Sequence, residues 1–475
     1  MEINHEKLTK SDFLLFCEAP RHLWAKKNGK IEQDLSDFTQ HLIADGYEVE
    51  KLAQEFLQNE IVRQKPGCQI SFQKTYSDGP FEARVDALVH NPANNSHELY
   101  EIKSSTSPDK KDLYDAAYQY LICKSQIAVE KVFLVHLNKA YYRHGQLDLS
   151  QLFSMDDVTE KAQDLLPEID NLRRSAYESL SFENPDSLQA CLLPKECPCP
   201  DICHPNLPEF SIFDIPRLNQ KKKSELLSMG ITKAKDVPIT FGLNQKQLLI
   251  VERARTHTEY TDIFSLRKEL GNLQFPLWFL DYETCISAIP RFENYHPQHQ
   301  IVFQYSLHKL DSSNASPEHK GCIEVSTGDP STRLLEHLES DLGPEGTIIV
   351  WNKAFEMTMN KEMARLHPEF EPFLANLNSR IYDLGQIVNN GIYIHPLFKG
   401  SWSIKHVLPV MVPELSYVEM PINKGDQASM GWWNVRFGNL DENQKAEIIN
   451  NLDHYCELDT LAMVEIYKRF ATMAR

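Results

Sequence analysis

The sequence lacks any apolar run long enough to cross a membrane, since no stretch approaches the roughly 18 apolar residues of a spanning helix. The polar start from Met1 to Lys7 contains no hydrophobic leader segment, and we therefore expect a cytoplasmic protein with no membrane partner. Glycine is scarce, at 18 of 475 residues, and the 26 prolines are an ordinary share, which excludes collagen-like and low-complexity sequence. Phosphate loops of the Walker type and GxGxxG fingerprints are missing as well, which excludes a recognisable ATPase or dinucleotide site.

Positive charge is also in short supply. The chain has 49 Lys and Arg residues against 67 Asp and Glu residues, a formal net charge of −18. Such a surface does not coat a polyanion over its whole area. One segment opposes this balance, because six basic residues between Arg217 and Lys235 accompany a single acid, Glu225. We therefore expect a negatively charged partner to be bound locally.

Length and pattern together predict three domains. A chain of this length has room for two to four domains with cores of their own. Residues 1–208 alternate helical and strand-like patterns, residues 209–272 are helical and basic, and residues 273–475 carry a second α/β pattern. We expect an α/β protein in which a small helical connector joins two α/β domains.

Two carboxylates and a lysine fall on neighbouring predicted strands of the first domain. Alternating patterns at residues 81–89 and 98–103 predict a strand, a turn and a second strand. Glu101 and Lys103 share a face because they are two positions apart, and Asp86 lies opposite the apolar set of its own strand. Converging carboxylates hold a divalent cation, and the ammonium group then lies beside a phosphate or an attacking water. A solvated hairpin face explains the same pattern.

The residues around these positions resemble the PD-(D/E)xK nuclease superfamily in its RecB/Cas4-like branch. Asp86, then Glu101-Ile-Lys103, then Gln119 on the following helix occur in the order of that branch's motifs. The resemblance implies that Asp86 and Glu101 bind Mg²⁺ or Mn²⁺, that Lys103 stabilises charge, and that Gln119 orients the site.

One position departs from the pattern of that branch. An early helix there often supplies a metal-binding histidine, and this chain has Tyr47 at the corresponding place. Glu48 and His41 are the nearby residues with a suitable side chain.

Four of the ten cysteines crowd into residues 191–203. Cys191, Cys197 and Cys203 are spaced C-x5-C-x5-C, and Cys199 lies between the last two. A loop so rich in cysteine and so poor in core residues is most simply ordered by a metal that thiolates hold.

The segment from Phe16 to Trp24 resembles the opening of Cas4- and AddB-like nucleases, which complete an iron-sulfur site with a cysteine near the N-terminus. The resemblance therefore implies a structural [4Fe-4S] cluster that ties both ends of the first domain together, with Zn²⁺ on the same thiolates as the alternative. The implied ligands are Cys17, Cys191, Cys197 and Cys203.

The basic segment of the connector resembles a helix-hairpin-helix element, with two short helices that turn at Met229-Gly230-Ile231. Such elements contact phosphates through backbone N–H groups and lysines without reading sequence. A solvated helix face explains the same charges. The candidate nucleic-acid-binding residues are Lys221, Lys222, Lys223, Lys233 and Lys235.

A second pair of carboxylates lies in the predicted strand at the start of the third domain. Alternation places Asp281 and Glu283 on the same face as Leu277 and Phe279. Carboxylates that continue a core face are costly unless a cation compensates them. This pair looks like the first motif of the DEDD exonucleases, which have an RNase H-like fold and hold two divalent ions on four carboxylates.

Two further motifs follow in the order that the DEDD resemblance requires. Asn352 and Glu356 match the second, with Glu in place of Asp, and Asp459 matches the third. The third motif also needs a residue that positions water, and both Tyr455 and His454 have a suitable spacing. A long continuous helix puts Tyr455 and Asp459 on one face and favours Tyr455, whereas His454 requires that the helix begin later. The resemblance implies two metal ions on Asp281, Glu283, Glu356 and Asp459.

Nearly the whole chain resembles the DUF2779 proteins, an uncharacterised bacterial family with a Cas4-like N-terminal half. Residues 281–293, 303–308, 399–405 and 455–463 carry this resemblance. The motifs imply a metal-dependent nuclease with two centres that degrades DNA at ends or in single strands, in repair, recombination or defence. An RNA exonuclease and a catalytically decayed nucleic-acid-binding adaptor are the alternatives. A helicase or another repair or defence protein is the kind of partner that such an enzyme has.

Overall fold

A computed structural model describes residues 7–32 and 36–475. The chain divides into two compact units, of which the first comprises Met1–Asn206 with Ser287–His299 and the second comprises Leu207–Ile286 with Gln300–Arg475. The mixed α/β class that the patterns predict is confirmed. The division into three domains stays a prediction. Among the described residues, no helix has the length and apolar character that a membrane span requires.

The first unit is built on a six-stranded sheet in the order β1-β3-β4-β5-β6, with β2 paired to β3. Strands β3 and β4 are antiparallel, β4 and β5 are parallel, and β1 runs parallel to the start of β3. The strands are β1 (Leu8–Thr9), β2 (Gln69–Asp78), β3 (Phe81–Asn91), β4 (Ser96–Lys103), β5 (Val129–Leu137) and β6 (Phe153–Asp157).

Helices cover this sheet, and the first and fourth of them pack against each other. Thr9 and Asp12 form a capping box that begins the first helix directly after β1. Phe13 of that helix stacks on Tyr118 of the fourth helix, with ring centroids 4.6 Å apart. The helices are α1 (Lys10–Glu18), α2 (Pro20–Lys27), α3 (Asp37–Gln64), α4 (Lys110–Cys123), α5 (Leu149–Leu152), α6 (Thr159–Ser179) and α7 (Pro200–Cys203).

The second unit contains a five-stranded sheet in the order β10-β9-β8-β11-β12, and a separate pair of β13 with β7. Strand β8 lies in the centre, parallel to β11, and β9 and β10 are antiparallel. The strands are β7 (Tyr260–Thr261), β8 (Leu277–Ser287), β9 (His299–Leu310), β10 (Glu318–Ile323), β11 (Thr347–Val350), β12 (Ile381–Asp383) and β13 (Tyr393–Ile394).

Helices of the second unit pack against the sheet through a core that contains Leu280, Leu335, Ile348 and Met363. The longest of them, α17, has 32 residues and an Asp441 capping box. The helices are α8 (Gln220–Ser228), α9 (Gln245–Thr256), α10 (Ile263–Gly271), α11 (Ser331–Asp341), α12 (Lys353–Leu366), α13 (Glu371–Ser379), α14 (Gln386–Asn389), α15 (Ile404–Met411), α16 (Gly425–Phe437) and α17 (Glu442–Met473).

The predicted pair of short helices around Gly230 is only half correct. Helix α8 precedes the turn, and Gly230 adopts a φ of 74°, which glycine tolerates without strain. The second element is one turn of 3₁₀ helix, Ala234–Asp236, because Pro238 disfavours helical backbone at the residue before it.

Candidate metal centres

The structure brings the four predicted residues of the first centre together at neighbouring strands and a helix. Asp86 lies on β3 and accepts a hydrogen bond of 2.9 Å from the backbone N–H of Ile102 on β4. The Nζ atom of Lys103 lies 2.9 Å from Oε1 of Glu101. Gln119 on α4 donates to Oε2 of Glu101 at 2.6 Å. The period-two alternation of β4 explains why Glu101 and Lys103 reach the same space.

Two further residues join this centre that the sequence analysis did not assign. Asp115 accepts a 2.8 Å hydrogen bond from Gln119, four positions later on α4. Lys10, the first residue of α1, has its Nζ atom 2.8 Å from Glu101, 3.8 Å from Asp115 and 3.9 Å from Asp86. The i, i+4 spacing was a signal for Asp115. Lys10 gave none, because the pairing of β1 with β3 brings it from a distant part of the chain.

The three candidates for a ligand on the early helix make contacts of other kinds. Tyr47 is 67% exposed. Glu48 forms a two-armed ion pair with Arg291, at 2.9 and 2.6 Å. His41 lies 4.0 Å from Asp45, one helical turn later. Neither Glu48 nor His41 therefore takes the place of the metal-binding histidine of that branch.

A different carboxylate of α3 approaches the first centre. Glu50 accepts a 2.6 Å hydrogen bond from the amide of Gln73, and the same amide lies 3.4 Å from Oδ1 of Asp86. The early helix thus supplies a carboxylate next to Asp86 through one bridging side chain. The family pattern calls for a histidine on this helix, and therefore does not point to Glu50.

Charge in the first centre is nearly balanced. Burial favours a raised pKa for Glu101, but the ammonium groups of Lys10 and Lys103 outweigh burial and hold this pKa well below its usual range. Burial and the nearby Glu101 raise the pKa of Asp86 to about 8, and the same causes raise that of Asp115 to about 6. Three carboxylates and two ammonium groups share one space, and a divalent cation that enters it competes with Lys10.

The second centre collects the four predicted carboxylates of the second unit. Asp281 and Glu283 come from β8, Glu356 from the first turn of α12, and Asp459 from α17. Burial, followed by the charges of Asp459, Glu283 and Glu356, raises the pKa of Asp281 well above its ordinary value. Carboxyl oxygens of Asp281 and Glu283 and the thiol sulfur of Cys456 lie within 4.8 Å of one another. The two carboxylates are oxygen donors of the kind that Mg²⁺ and Mn²⁺ bind, whereas the thiol is not.

Helix α17 is continuous through the third motif, and this decides which residue faces the carboxylates. Tyr455 is buried while its neighbour His454 is exposed. The Nζ atom of Lys405 donates a 2.9 Å hydrogen bond to the Tyr455 hydroxyl. The structure therefore places Tyr455, and not His454, beside Asp459.

Lys405 and Tyr417 belong to the second centre although no motif assigned them a role there. The hydroxyl of Tyr417 donates a 2.6 Å hydrogen bond to Oδ1 of Asp459. Burial raises the pKa of Asp459 to about 6 even though Tyr417, Lys405 and Tyr455 each act to lower it. Residues 404–411 and the loop after them supply these groups, far along the chain from β8, so no local period points to them.

The cysteine loop forms a cluster that does not contain Cys17. Cys191, Cys199 and Cys203 are buried together in one small core with Trp24. Cys17 packs against the main core of the first unit instead, and burial together with the charges of Glu168 and Glu18 raises the pKa of its thiol to about 12.

Helix α2, and not α1, faces the cysteine loop. Nε2 of His22 lies 3.4 Å from Sγ of Cys197. Two of the four implied ligands therefore differ from the donor atoms that the structure groups together, since His22 and Cys199 stand in place of Cys17 and Cys191. The residues present do not fit a [4Fe-4S] cluster on Cys17, Cys191, Cys197 and Cys203.

The predicted nucleic-acid-binding lysines divide into two groups. Lys222 donates to the carbonyl oxygen of Gly242 at 2.7 Å, and Lys223 lies over the ring of Phe213. Lys221 is exposed on α8. The other two, Lys233 and Lys235, line a cavity of about 270 Å³ with His257, Lys399 and Glu209.

Removal of the charge on Glu356 should flatten the pH dependence of stability in metal-free protein. Burial, with a smaller contribution from Asp383, raises the pKa of Glu356 to about 8. The folded state therefore holds a proton that the unfolded state releases, and stability falls as pH rises from about 4.5 to 8. We expect the free energy of unfolding in EDTA, measured by denaturant titration, to fall between pH 6 and pH 8. The fall should be about 2 kcal/mol smaller in Glu356→Gln than in the wild type. Glu339→Gln, an exposed change on α11, is the matched control, and a Glu356→Gln profile identical to that of the wild type would contradict the assignment.

Comparison with known proteins gives a family match without a function. Residues 278–403 match the family described as "Domain of unknown function (DUF2779)", which confirms the resemblance for that part of the chain. An uncharacterized protein from Ureaplasma parvum serovar 3 is 26% identical over 261 residues, or 48% of this chain and 37% of that protein. An uncharacterized protein from Mycoplasma pneumoniae is 30% identical over 207 residues, or 40% of this chain and 31% of that protein. The chain spans about a third of the length of these curated relatives.

Proposed function

We propose that the protein is a metal-dependent nuclease that acts on DNA and has two catalytic centres. The observation that carries the proposal is the second centre, where four carboxylates from β8, α12 and α17 share one space with the ammonium group of Lys405. Divalent cations are the usual compensation for such a group, and phosphodiester hydrolysis is the chemistry that paired cations on carboxylates perform in the DEDD exonucleases.

The surrounding fold supports this interpretation. A mixed five-stranded sheet with its first strand in the centre is the arrangement expected of an RNase H-like domain, and Asp281 and Glu283 lie on that central strand. In the first unit, Asp86, Glu101 and Lys103 lie on two adjacent strands, as the PD-(D/E)xK resemblance requires.

In the second centre, Asp281, Glu283, Glu356 and Asp459 would hold Mg²⁺ or Mn²⁺, which supplies an activated water and neutralises charge on the phosphate. The protein's own groups position the reactants around that chemistry. Tyr455 orients the attacking water through its hydroxyl, which Lys405 holds at 2.9 Å.

In the first centre, Asp86 and Glu101 would hold the cation and Glu50 stands next to Asp86. Lys103 stabilises negative charge that develops on the phosphate, and Gln119 fixes the carboxylate of Glu101. Lys10 occupies the space beside the same carboxylates, and this observation favours a second candidate for the first unit alone: a DNA-binding centre that has lost its metal.

Substrate contact away from the metals is expected at the cavity that Lys233 and Lys235 line. These ammonium groups, with Lys399, attract the phosphate backbone in a chain whose net charge is −18. Glu209 pairs with Lys399 at 2.6 Å and limits the excess of positive charge. Binding at such a site depends strongly on salt and does not distinguish one base from another.

Substitution of metal ligands should remove separable activities. We expect Asp281→Ala/Glu283→Ala and Asp86→Ala/Lys103→Ala each to abolish one part of the Mn²⁺-dependent degradation of end-labelled single-stranded DNA, with a loss of at least about 100-fold in that part. Competition with RNA of the same sequence tests the choice of substrate, because a preference for RNA would replace DNA in the proposal.

The matched controls also replace two charged residues by alanine, but at exposed positions. Lys161→Ala/Asp164→Ala changes exposed residues of α6, and Asp311→Ala/Glu318→Ala changes one exposed residue directly after β9 and one at the start of β10. Both should degrade DNA at the wild-type rate. Wild-type rates in both ligand variants would refute the nuclease. Loss in the second-unit variant alone would support the second candidate for the first unit.

Removal of one hydroxyl tests the role of Tyr455. We expect Tyr455→Phe to lower kcat about 100-fold with little change in KM, because the hydroxyl acts on water and not on the bound strand. His454→Ala, one position earlier and exposed, is the control and should match the wild type. The opposite ranking of these two variants would assign the role to His454.

A further inference from the structure

The cysteine loop and helix α2 form a compact donor set that is independent of both carboxylate centres. Ligand atoms of His22, Cys197, Cys199 and Cys203 all lie within 4.8 Å of one another. Cys199 and Cys203 are buried, with 4% and 5% of their surface exposed. Three thiols and an imidazole in such a space have few stabilising options without a metal, since each is a poor hydrogen-bonding partner for the others.

Two distances in this set match ligands of a single tetrahedral ion. Zn–S bonds of about 2.3 Å and Zn–N bonds of about 2.0 Å place two tetrahedral ligands about 3.5 to 3.8 Å apart. Sγ of Cys199 lies 3.9 Å from Sγ of Cys203, and Nε2 of His22 lies 3.4 Å from Sγ of Cys197. In a four-iron cluster each ligand binds a different iron, which needs a wider spacing.

A carboxylate lies on the side of His22 where zinc-bound histidines have their second partner. Nδ1 is buried without a hydrogen bond, and Oε2 of Glu18 lies 3.8 Å from it. A small shift of the Glu18 side chain would close this distance to a hydrogen bond and orient Nε2 toward the metal, as in carboxylate–histidine–zinc arrangements.

The backbone around the donor set is already fixed. Arg21, next to His22, donates to the carbonyl oxygens of Leu188 and Ile202 at 2.8 Å each. Cys191, the fourth cysteine of the loop, has its Sγ atom 3.2 Å from Nε2 of His204, so its thiol contacts a second histidine. The loop is therefore held against α2 in the geometry that the ligands need.

We propose that the first unit binds one Zn²⁺ through His22, Cys197, Cys199 and Cys203, and that this ion ties α2 to the cysteine loop. Cys17 is not a ligand, because it packs in a different core. The site has a structural role: its four protein ligands leave no open position for a substrate. This inference does not depend on the proposed nuclease function.

Metal analysis of protein purified without oxygen, from cells supplied with both zinc and iron, tests the site. We expect colourless protein with about one zinc per chain, the stoichiometry of a Cys₃His site. X-ray absorption at the zinc edge should give three sulfur ligands at about 2.3 Å and one nitrogen ligand at about 2.0 Å. Brown protein with about four irons per chain would overturn the proposal. Four sulfur ligands, or the absence of any bound metal, would do so as well.

Paired variants identify the fourth ligand. His22→Ala should lose at least nine-tenths of the zinc and melt at a lower temperature, while Cys17→Ser should keep all of it. His22→Cys restores a four-ligand set and should recover zinc, which separates loss of a ligand from failure to fold. Loss of metal from Cys17→Ser together with full zinc in His22→Ala would assign the ligand to Cys17.

Discussion

Carboxylates that are buried together cannot all keep their charge without a cation, and this constraint governs the second unit. Strand β8 is apolar on both sides of Asp281 and Glu283, and α12 and α17 bring Glu356 and Asp459 to the same place. Apolar side chains hold these elements in place, since Leu280 of β8 and Met363 of α12 share a core and Phe279 of β8 packs against Tyr467 of α17, so the excess of negative charge is built into the fold. Protons or divalent cations must therefore compensate this charge. Of the two, divalent cations are the ones that can catalyse hydrolysis.

The two centres meet the same constraint in different ways. In the first, Lys10 and Lys103 place two ammonium groups among Asp86, Glu101 and Asp115, which leaves a small deficit of positive charge. In the second, among the residues that the structure describes, Lys405 is the lysine whose charge acts on Asp281, Glu283 and Asp459. A divalent cation thus has to displace an ammonium group from the first centre but enters a space of unbalanced charge in the second. We infer that the second centre is the stronger metal site.

Residues that share a local period were predictable, and residues that come from distant segments were not. Alternation correctly placed Glu101 with Lys103, and helical spacing correctly placed Tyr455 on the side of α17 that carries Asp459, while its role stays a prediction. Lys10 and Lys405 lie far from the motifs they join, and only the packing of β1 against β3 and of α15 near α17 brings them in. Cys17 illustrates a different limit. A family pattern named it as a ligand, while the fold turns α1 toward the main core and α2 toward the cysteine loop.

Calorimetric titration of metal-free protein with Mn²⁺ tests the central claim, that buried carboxylates of the second unit form a cation site. The wild type should bind Mn²⁺ near neutral pH with release of protons, because burial and the neighbouring carboxylates raise the pKa of Asp281 and of Glu283 well above its ordinary value and a bound cation acts to lower both. Asp281→Asn/Glu283→Gln should lose that binding and the associated proton release. Equal binding isotherms for the wild type and this variant, or no binding by the wild type, would contradict the account.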